Sequence, residues 1–254
     1  MGRDASRQKG GSVTLDDLTF PPSTASGRNL TYGMLDALGR AIVTGMYHDK
    51  AFPTEAELAV EYGVSRSVVR EAVKMLGAKG LLTARPRKGT AIQSANAWNL
   101  FDTDVLRWIL ERKFSLQLLR QFTELRVAIE PAAAGLAART RNPELIASIE
   151  AGYRRMEAAE QGDDDPLEAD IAFHISILQA TANPFYMQFK EVVATALRTS
   201  IRFTNRFQGR TASLPQHMAV LNAIEAGDDA AANQAMGALI TDVMTLIATA
   251  ERKA

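Results

Sequence analysis

The sequence predicts a mainly α-helical protein of two domains, a small N-terminal one with a β-hairpin and an all-α C-terminal bundle of six helices. Three observations support this. A length of 254 residues suits two domains of ordinary size. Apolar residues recur at helical spacing along most of the chain. The formal net charge of zero is unevenly divided, since residues 1–95 hold 13 Lys and Arg against 9 Asp and Glu, whereas residues 96–254 hold 16 against 20. A basic domain joined to an acidic one is typical of a nucleic-acid-binding module with a partner domain.

The composition narrows the class of protein. There is no cysteine, which excludes disulfides and thiolate metal sites, so any metal must be held by His, Asp or Glu. Residues 1–28 are rich in Gly, Ser, Thr and Asp without an apolar run, and we predict a disordered tail rather than a signal peptide. The longest uncharged stretch, near 171–189, contains His, Gln, Asn and Pro and does not suit a membrane span. We therefore expect a soluble, cytoplasmic protein with no membrane contact.

Residues 29–95 show the order helix, helix, helix, hairpin. A first helix ends near Gly45. Thr54 and Glu57 form a capping box that starts a second, and Ser65 is the N-cap of a third that reaches about Lys79. Short strands at 81–84 and 90–92 flank a basic tip. This order predicts a winged helix-turn-helix domain, with a linker helix at 96–112 after it.

The third helix is predicted to contact DNA. Its apolar positions face one side, whereas Arg66, Arg70 and Lys74 recur every four residues on the other, with Ser67 beside them. Arginine can read guanine and also bind phosphate in the major groove, and Arg87 and Lys88 at the tip suit phosphate or minor-groove contact. A solvated charged face is the alternative, which the arrangement disfavours.

Three segments carry a family resemblance: PTEAELA at 53–59, GVSRSVVREA at 63–72 and GLL at 80–82. Together they resemble the DNA-binding domain of GntR-type transcription regulators. The resemblance implies DNA contact by the positions Ser65, Arg66, Arg70, Lys88 and Gly89. Ala56 stands where that family often has arginine, so the operator sequence cannot be carried over.

The C-terminal domain, residues 113–254, is predicted to contain six helices, at about 115–138, 143–161, 166–181, 184–206, 213–226 and 230–250. Asp170 and His174 lie one turn apart on the apolar stripe of the third, and His217 lies on that of the fifth. Imidazole and carboxylate suit a divalent transition metal such as Zn, Mn, Ni or Fe. An Asp170–His174 hydrogen bond, with His217 as a satisfied core histidine, is the alternative.

A second resemblance covers this domain. ELR at 124–126, IEP at 129–131, Asp170 with FH at 173–174, NP at 183–184 and His217 with GD at 227–228 resemble the FCD domain of FadR-like GntR regulators. The resemblance implies that Asp170, His174 and His217 bind a divalent metal against which a small carboxylate effector sits. The fourth ligand position of that family is Leu239 here.

Arg126 is the leading candidate for binding the effector. It lies in the apolar stripe of its helix, where we expect a half-buried guanidinium able to clamp a carboxylate, the alternative being a structural pair with Glu130. Arg198 and Arg202 could line the same cavity or form a solvated face. The linker WNLFDTDVLRW at 98–108 resembles that of galactonate-operon repressors in this family, which implies a sugar-acid effector.

The predicted function is a DNA-binding transcription regulator, a repressor released from DNA by its effector. It should act as a homodimer on palindromic double-stranded DNA, because one recognition helix reads one half-site. Activation in place of repression fits the sequence equally well. An acyl-CoA effector is the other alternative, and Asp170 and His217 argue against it, because it would need a long apolar tunnel without buried Asp or His. A metal-dependent enzyme using Asp170, His174 and His217 is disfavoured, because residues 96–254 contain no HExxH motif, no second carboxylate cluster and no phosphate-binding glycine loop.

Overall fold

A computed structural model describes residues 27–48, 50–85, 89–112, 115–207 and 213–252, and only the backbone of 27–29 and 201–207. The tail predicted at 1–28 therefore lies almost wholly outside the described residues. The chain divides into two compact units, with the boundary between Trp98 and Asn99. The prediction of a mainly α-helical chain with one small hairpin is confirmed.

The first unit contains helices α1 (Gly27–Val43), α2 (Glu55–Glu61) and α3 (Arg66–Ala78), then strands β1 (Leu82–Arg85) and β2 (Gly89–Ile92). The strands pair antiparallel, with Leu82 opposite Ile92. One face of α3 is buried against α1, and the apolar residues of this small core include Leu35, Leu38, Val69, Ala72 and Leu76. This is the winged helix-turn-helix order that the sequence predicts.

Local signals begin and end these helices where the sequence predicts. The Thr54 side chain accepts from the backbone of Glu57, whose carboxylate accepts from the backbone of Thr54, so the capping box is formed. The Ser65 hydroxyl accepts from Val68 N at the start of α3. Gly80 follows α3 with φ +79°, and a Cβ there would lie 2.2 Å from the carbonyl oxygen of Ala97. The turn out of α3 therefore needs glycine for its conformation and for space.

All of the regular secondary structure in the described part of the second unit is helical. Its helices are α4 (Thr103–Leu110), α5 (Leu116–Thr140), α6 (Pro143–Gln161), α7 (Pro166–Ala180), α8 (Pro184–Met187), α9 (Lys190–Phe207), α10 (Leu214–Ala226) and α11 (Asp229–Glu251). The predicted linker helix corresponds to α4, which packs on α9. Among the described helices, none combines the length and the hydropathy that a membrane-spanning segment needs.

The prediction of one helix over 184–206 is wrong in one respect, because α8 and α9 are separate. The amides of Gln188 and Phe189 donate to carbonyls three residues back, at Phe185 and Tyr186. Such tighter i to i+3 bonds break the α-helical ladder, so the helix restarts at Lys190.

Helix α7 occupies the middle of the second unit, packed against α5, α6 and α9. Most of its residues are buried, including the polar residues Asp170, His174 and Ser176. These three polar side chains require partners, because the helix is otherwise enclosed by apolar neighbours and burial of an unpaired polar group is unfavourable. The neighbours of these side chains therefore define the candidate site.

Candidate functional site

Asp170 and His174 on α7 and His217 on α10 form one buried cluster. Their exposed fractions are 5%, 1% and 2%. The Nε2 atom of His217 lies 3.1 Å from Asp170 Oδ1, and the Nε2 atom of His174 lies 3.7 Å from the same oxygen. Each residue offers one ligand atom, and these atoms all lie within 4.8 Å of one another. The structure thus brings together the three residues predicted to bind a metal.

The tautomer of His217 is set by the backbone at the start of its own helix. Its Nδ1 atom lies 2.8 Å from the carbonyl oxygen of Ser213, which can only accept a hydrogen bond. Nδ1 therefore carries a proton, and in the neutral imidazole Nε2 faces Asp170 with a free lone pair. Among the described residues, neither His217 Nε2 nor Asp170 Oδ1 has a hydrogen-bond partner.

Asp170 is held in its ionised form. Burial alone would raise the pKa of its carboxyl group. The contact with His217 and the electrostatic attraction of His174, His217 and Arg126 outweigh burial and hold this pKa below its ordinary value. An ionised carboxylate also only accepts. When His217 is neutral, its Nε2 and the Asp170 carboxylate are two buried acceptors that face each other at 3.1 Å, and a divalent metal between them would relieve their repulsion.

His174 is held from a different helix. Its Nδ1 atom forms a hydrogen bond with Oε2 of Glu130 on α5, and both side chains are buried. Because a carboxylate accepts, Nδ1 donates and Nε2 is left to face Asp170. A carboxylate–histidine pair of this kind is the usual support for a metal-binding imidazole.

Arg126, one turn before Glu130, completes the network. Its Nε donates to Glu130 Oε1, and its Nη2 lies 3.4 Å from His174 Nε2. Burial works to raise the pKa of Glu130, but the charges of Arg126 and His174 and their hydrogen bonds outweigh it and lower this pKa to about 2. The carboxylate of Glu130 is therefore ionised throughout the neutral range.

The environment of Arg126 differs from the expectation of a half-buried guanidinium. The residue is only 2% exposed, and the alternative pair with Glu130 is present. Its binding of an effector carboxylate stays a prediction. Sequence reasoning named Glu130 only as a neighbour of Arg126 and missed its contact with His174. The available signal was its place one turn from Arg126 in the apolar stripe of α5.

Apolar side chains surround the cluster. The ring of Phe173 lies edge-on to both imidazoles, with its centroid 5.8 Å from that of His174 and 5.1 Å from that of His217. Leu239, which occupies the fourth ligand position implied by the family resemblance, is buried in the hydrophobic core of this unit. Its side chain offers no ligand atom, so the described residues bring together three of the four ligand positions that the resemblance implies.

No described contact joins Arg198 or Arg202, the other two arginines predicted to bind effector, to this network. Arg198 is one-third exposed and lies 3.3 Å from Glu168, an exposed residue of α7. The side chain of Arg202 lies outside the described part of the structure. An effector-binding role for either residue stays a prediction.

The predicted DNA-contacting face of α3 is exposed. Arg66 and Arg70 have no ion-pair partner among the described residues, whereas Lys74 pairs with Glu71 at 3.0 Å. The hydroxyl of Ser65 lies 2.8 Å from that of Ser67, so these two side chains are linked at the helix start. Gly89 is exposed at the start of β2 with φ +79°. Arg87 and Lys88 lie outside the described residues.

Comparison with known families identifies the class of protein. Residues 35–92 match the gntR family of bacterial regulatory proteins, and residues 121–242 match the FCD domain. The chain belongs to the GntR family of transcription regulators and carries a C-terminal FCD domain. These domains are those of DNA-binding regulators, so the protein is a regulator and not an enzyme.

Individual relatives support this assignment. The galactonate operon transcriptional repressor of Escherichia coli K12 is 34% identical over 230 residues, covering 89% of this chain and 96% of the repressor. The uncharacterized HTH-type transcriptional regulator YieP of the same organism is 33% identical, covering 85% of this chain and 94% of its own. The solved structure of Lar from Listeria monocytogenes shares the fold, with a TM-score of 0.55 at 17% identity, covering 87% of this chain and 97% of Lar.

Proposed function

We propose that the protein represses a catabolic operon and is released from its operator by a small carboxylate, a sugar acid such as galactonate. The observation that carries this proposal is the convergence of Asp170 Oδ1 and two histidine Nε2 atoms inside the FCD domain. Two of these buried atoms, Asp170 Oδ1 and His217 Nε2, have no hydrogen-bond partner among the described residues, which favours a cation at this position, and a bound cation attracts a carboxylate. The relative that is a galactonate operon repressor supports the choice of sugar acid.

Asp170, His174 and His217 would hold a divalent transition metal, of which Zn, Mn, Ni and Fe all suit two imidazoles and one carboxylate. The bound metal supplies a Lewis-acidic positive charge. Because Leu239 contributes no ligand, three protein ligands leave coordination positions for other groups. An aldonate offers a carboxylate and a neighbouring hydroxyl for such positions. Arg126, with Nη2 3.4 Å from His174 Nε2, is placed to donate to the same carboxylate.

The DNA-binding part of the proposal concerns α3 and the wing. The major groove is contacted by the start and the exposed face of α3, through Ser65, Arg66, Ser67, Arg70 and Lys74. The DNA backbone or the minor groove is contacted by the wing, through Arg87, Lys88 and Gly89. The protein acts in the cytoplasm as a homodimer on a palindromic operator, since each copy reads one half-site. The effector releases DNA because it binds more tightly to the conformation with lower DNA affinity.

Thermal unfolding tests the ligand part of the proposal. The full-length protein is mixed with D-galactonate, with other aldonates, with lactate or with palmitoyl-CoA, each with and without EDTA. We expect a sugar acid to raise Tm most, and EDTA to abolish the increase. No increase with any sugar acid would contradict the proposed effector class. A larger increase with palmitoyl-CoA that EDTA leaves unchanged would favour the acyl-CoA alternative.

Gel-shift titration and a reporter gene test the regulatory part. DNA fragments that the protein selects from a random pool supply the operator. The sugar acid that raises Tm should release this DNA, and a reporter behind the same operator should be transcribed more when the gene for the regulator is deleted. Lower transcription after deletion would show activation instead of repression. The variant His217→Gln should still bind DNA but no longer respond to the sugar acid.

A further inference from the structure

Glu130 is not one of the three ligand residues, yet it contacts one of them directly. Its side chain is buried on α5, and its Oε2 accepts the hydrogen bond from His174 Nδ1. α5 thus holds the imidazole that α7 carries. His217 needs no such residue, because the backbone carbonyl of Ser213 accepts from its Nδ1.

We propose that Glu130 is a positioning residue that sets the tautomer and the ring orientation of His174. This proposal rests on the metal site of the proposed function. A neutral imidazole carries its single proton on either nitrogen, and only the Nδ1–H form leaves Nε2 free to bind a metal. The acceptor at Glu130 Oε2 selects that form and directs Nε2 towards Asp170 Oδ1, 3.7 Å away.

Arg126 fixes Glu130 in turn. The guanidinium Nε donates to Oε1, and Nη2 lies 3.5 Å from Oε2. Each oxygen of the Glu130 carboxylate thus lies near a guanidinium nitrogen of Arg126. Rotation of the carboxylate away from His174 would break the contact with Arg126, which lies on the same face of α5 one turn away. The buried pair therefore acts as a fixed support for the ring.

The substitution Glu130→Gln gives a sharp test because glutamine has one acceptor oxygen where glutamate has two. Arg126 can only donate, so the amide oxygen of the substituted side chain faces Arg126 and its NH2 group faces His174. Nδ1 then accepts instead of donating, and the proton moves to Nε2. We expect the 15N–1H spectrum of the imidazoles in full-length protein without metal to show His174 as the Nδ1–H form in wild type and as the Nε2–H form in Glu130→Gln.

Calorimetric titration with Zn2+ gives the second readout. Loss of a support of this kind weakens metal affinity roughly 10- to 100-fold. The matched control is Glu150→Gln, which removes the same charge from a half-buried glutamate of α6 that pairs with the exposed Arg154. This control should keep the wild-type spectrum of His174 and the wild-type affinity for Zn2+.

A double variant, Arg126→Met with Glu130→Met, covers the case in which Glu130→Gln does not fold. Replacing both members of a buried pair by apolar side chains of similar size avoids an unpaired charge. His174 should then show a mixture of both tautomers and weaker binding of Zn2+. Retention of a pure Nδ1–H form in the variants, with affinity within twofold of wild type, would overturn the proposal. If wild type binds no metal, the metal site of the proposed function fails, while the spectrum of His174 still decides the role of Glu130.

Discussion

Gly152 of α6 lies directly against the backbone of Phe173 on α7. A Cβ at position 152 would lie 2.9 Å from the Cα atom and 3.0 Å from the amide nitrogen of Phe173. Neither of these atoms can move without moving α7 itself. The close approach of the two helices thus places Phe173, and with it the adjacent His174, at a fixed depth in the bundle.

Gly152→Ala is expected to destabilise the C-terminal unit and to weaken metal binding, because the added methyl group pushes α7 away from α6. Overpacking of this kind typically costs about 1–3 kcal/mol. The matched control is Gly237→Ala in α11, where the nearest atom to a new Cβ is Pro131 Cγ at 3.9 Å. Denaturant unfolding and Zn2+ titration measure both effects. Equal stability of the two variants would contradict the prediction.

Arg66→Ala and Arg70→Ala should each weaken operator binding without lowering the free energy of unfolding, since both side chains are exposed on α3. Loss of a base contact costs about 1–3 kcal/mol. Lys74→Ala should cost less, because this side chain already pairs with Glu71 at 3.0 Å.

Fluorescence anisotropy of labelled operator DNA at fixed salt measures these affinities. Arg154→Ala removes another exposed arginine, from α6, and serves as the control for net charge. If this control weakened binding as much as Arg66→Ala, the loss would reflect overall charge rather than contact by α3.

Much of the first unit follows from local sequence rules, and this explains why its prediction was accurate. Thr54 with Glu57, Ser65 and Gly80 act on backbone groups within a few residues of themselves, so spacing alone identifies them. The position of Asp170 and His174 on the buried face of α7 was equally predictable from the spacing of the apolar residues. The contact of Glu130 with His174 was not, because it depends on how α5 packs against α7.

The same limit explains the misjudged exposure of Arg126. Its position in the apolar stripe of α5 predicts the direction of the side chain but not how deeply that side chain is buried. The guanidinium is fully buried because Glu130 and His174 supply partners for it. The helical spacing of apolar residues likewise continues through Gln188, although the described backbone changes there to i to i+3 hydrogen bonds. The break between α8 and α9 could therefore not be predicted from spacing.

The stability of the protein should depend on acid through Glu130. Its pKa is lowered to about 2 in the folded protein, whereas the unfolded chain has the ordinary value near 4.5. The stabilisation is therefore fully present above about pH 4.5 and is lost as the pH falls towards 2. Urea unfolding from pH 5 to pH 2.5 should show a shallower decline in the variant with methionine at both 126 and 130. Parallel curves for wild type and the double variant would contradict this assignment.

Leu239→His should strengthen metal binding if α11 faces the site as the family pattern implies. A fourth ligand would raise Zn2+ affinity at least about tenfold, while an additional buried imidazole would lower stability when EDTA is present. Leu239→Gln, of similar polarity but a poor ligand, is the control. Calorimetric titration of the three proteins measures the difference. Equal affinities in the histidine and glutamine variants would show that position 239 does not reach the metal.

The site draws its groups from helices that are far apart in the chain. Arg126 and Glu130 lie in the middle of α5, Asp170 and His174 lie on α7, and His217 lies on α10. During synthesis on the ribosome, the last of these groups is added only after most of the FCD domain has been made. An emerging chain without α10 cannot assemble the three ligand atoms. The three ligands could therefore bind a metal ion together only after α10 has been made, and helices α5 to α9 cannot fold around an ion that all three hold.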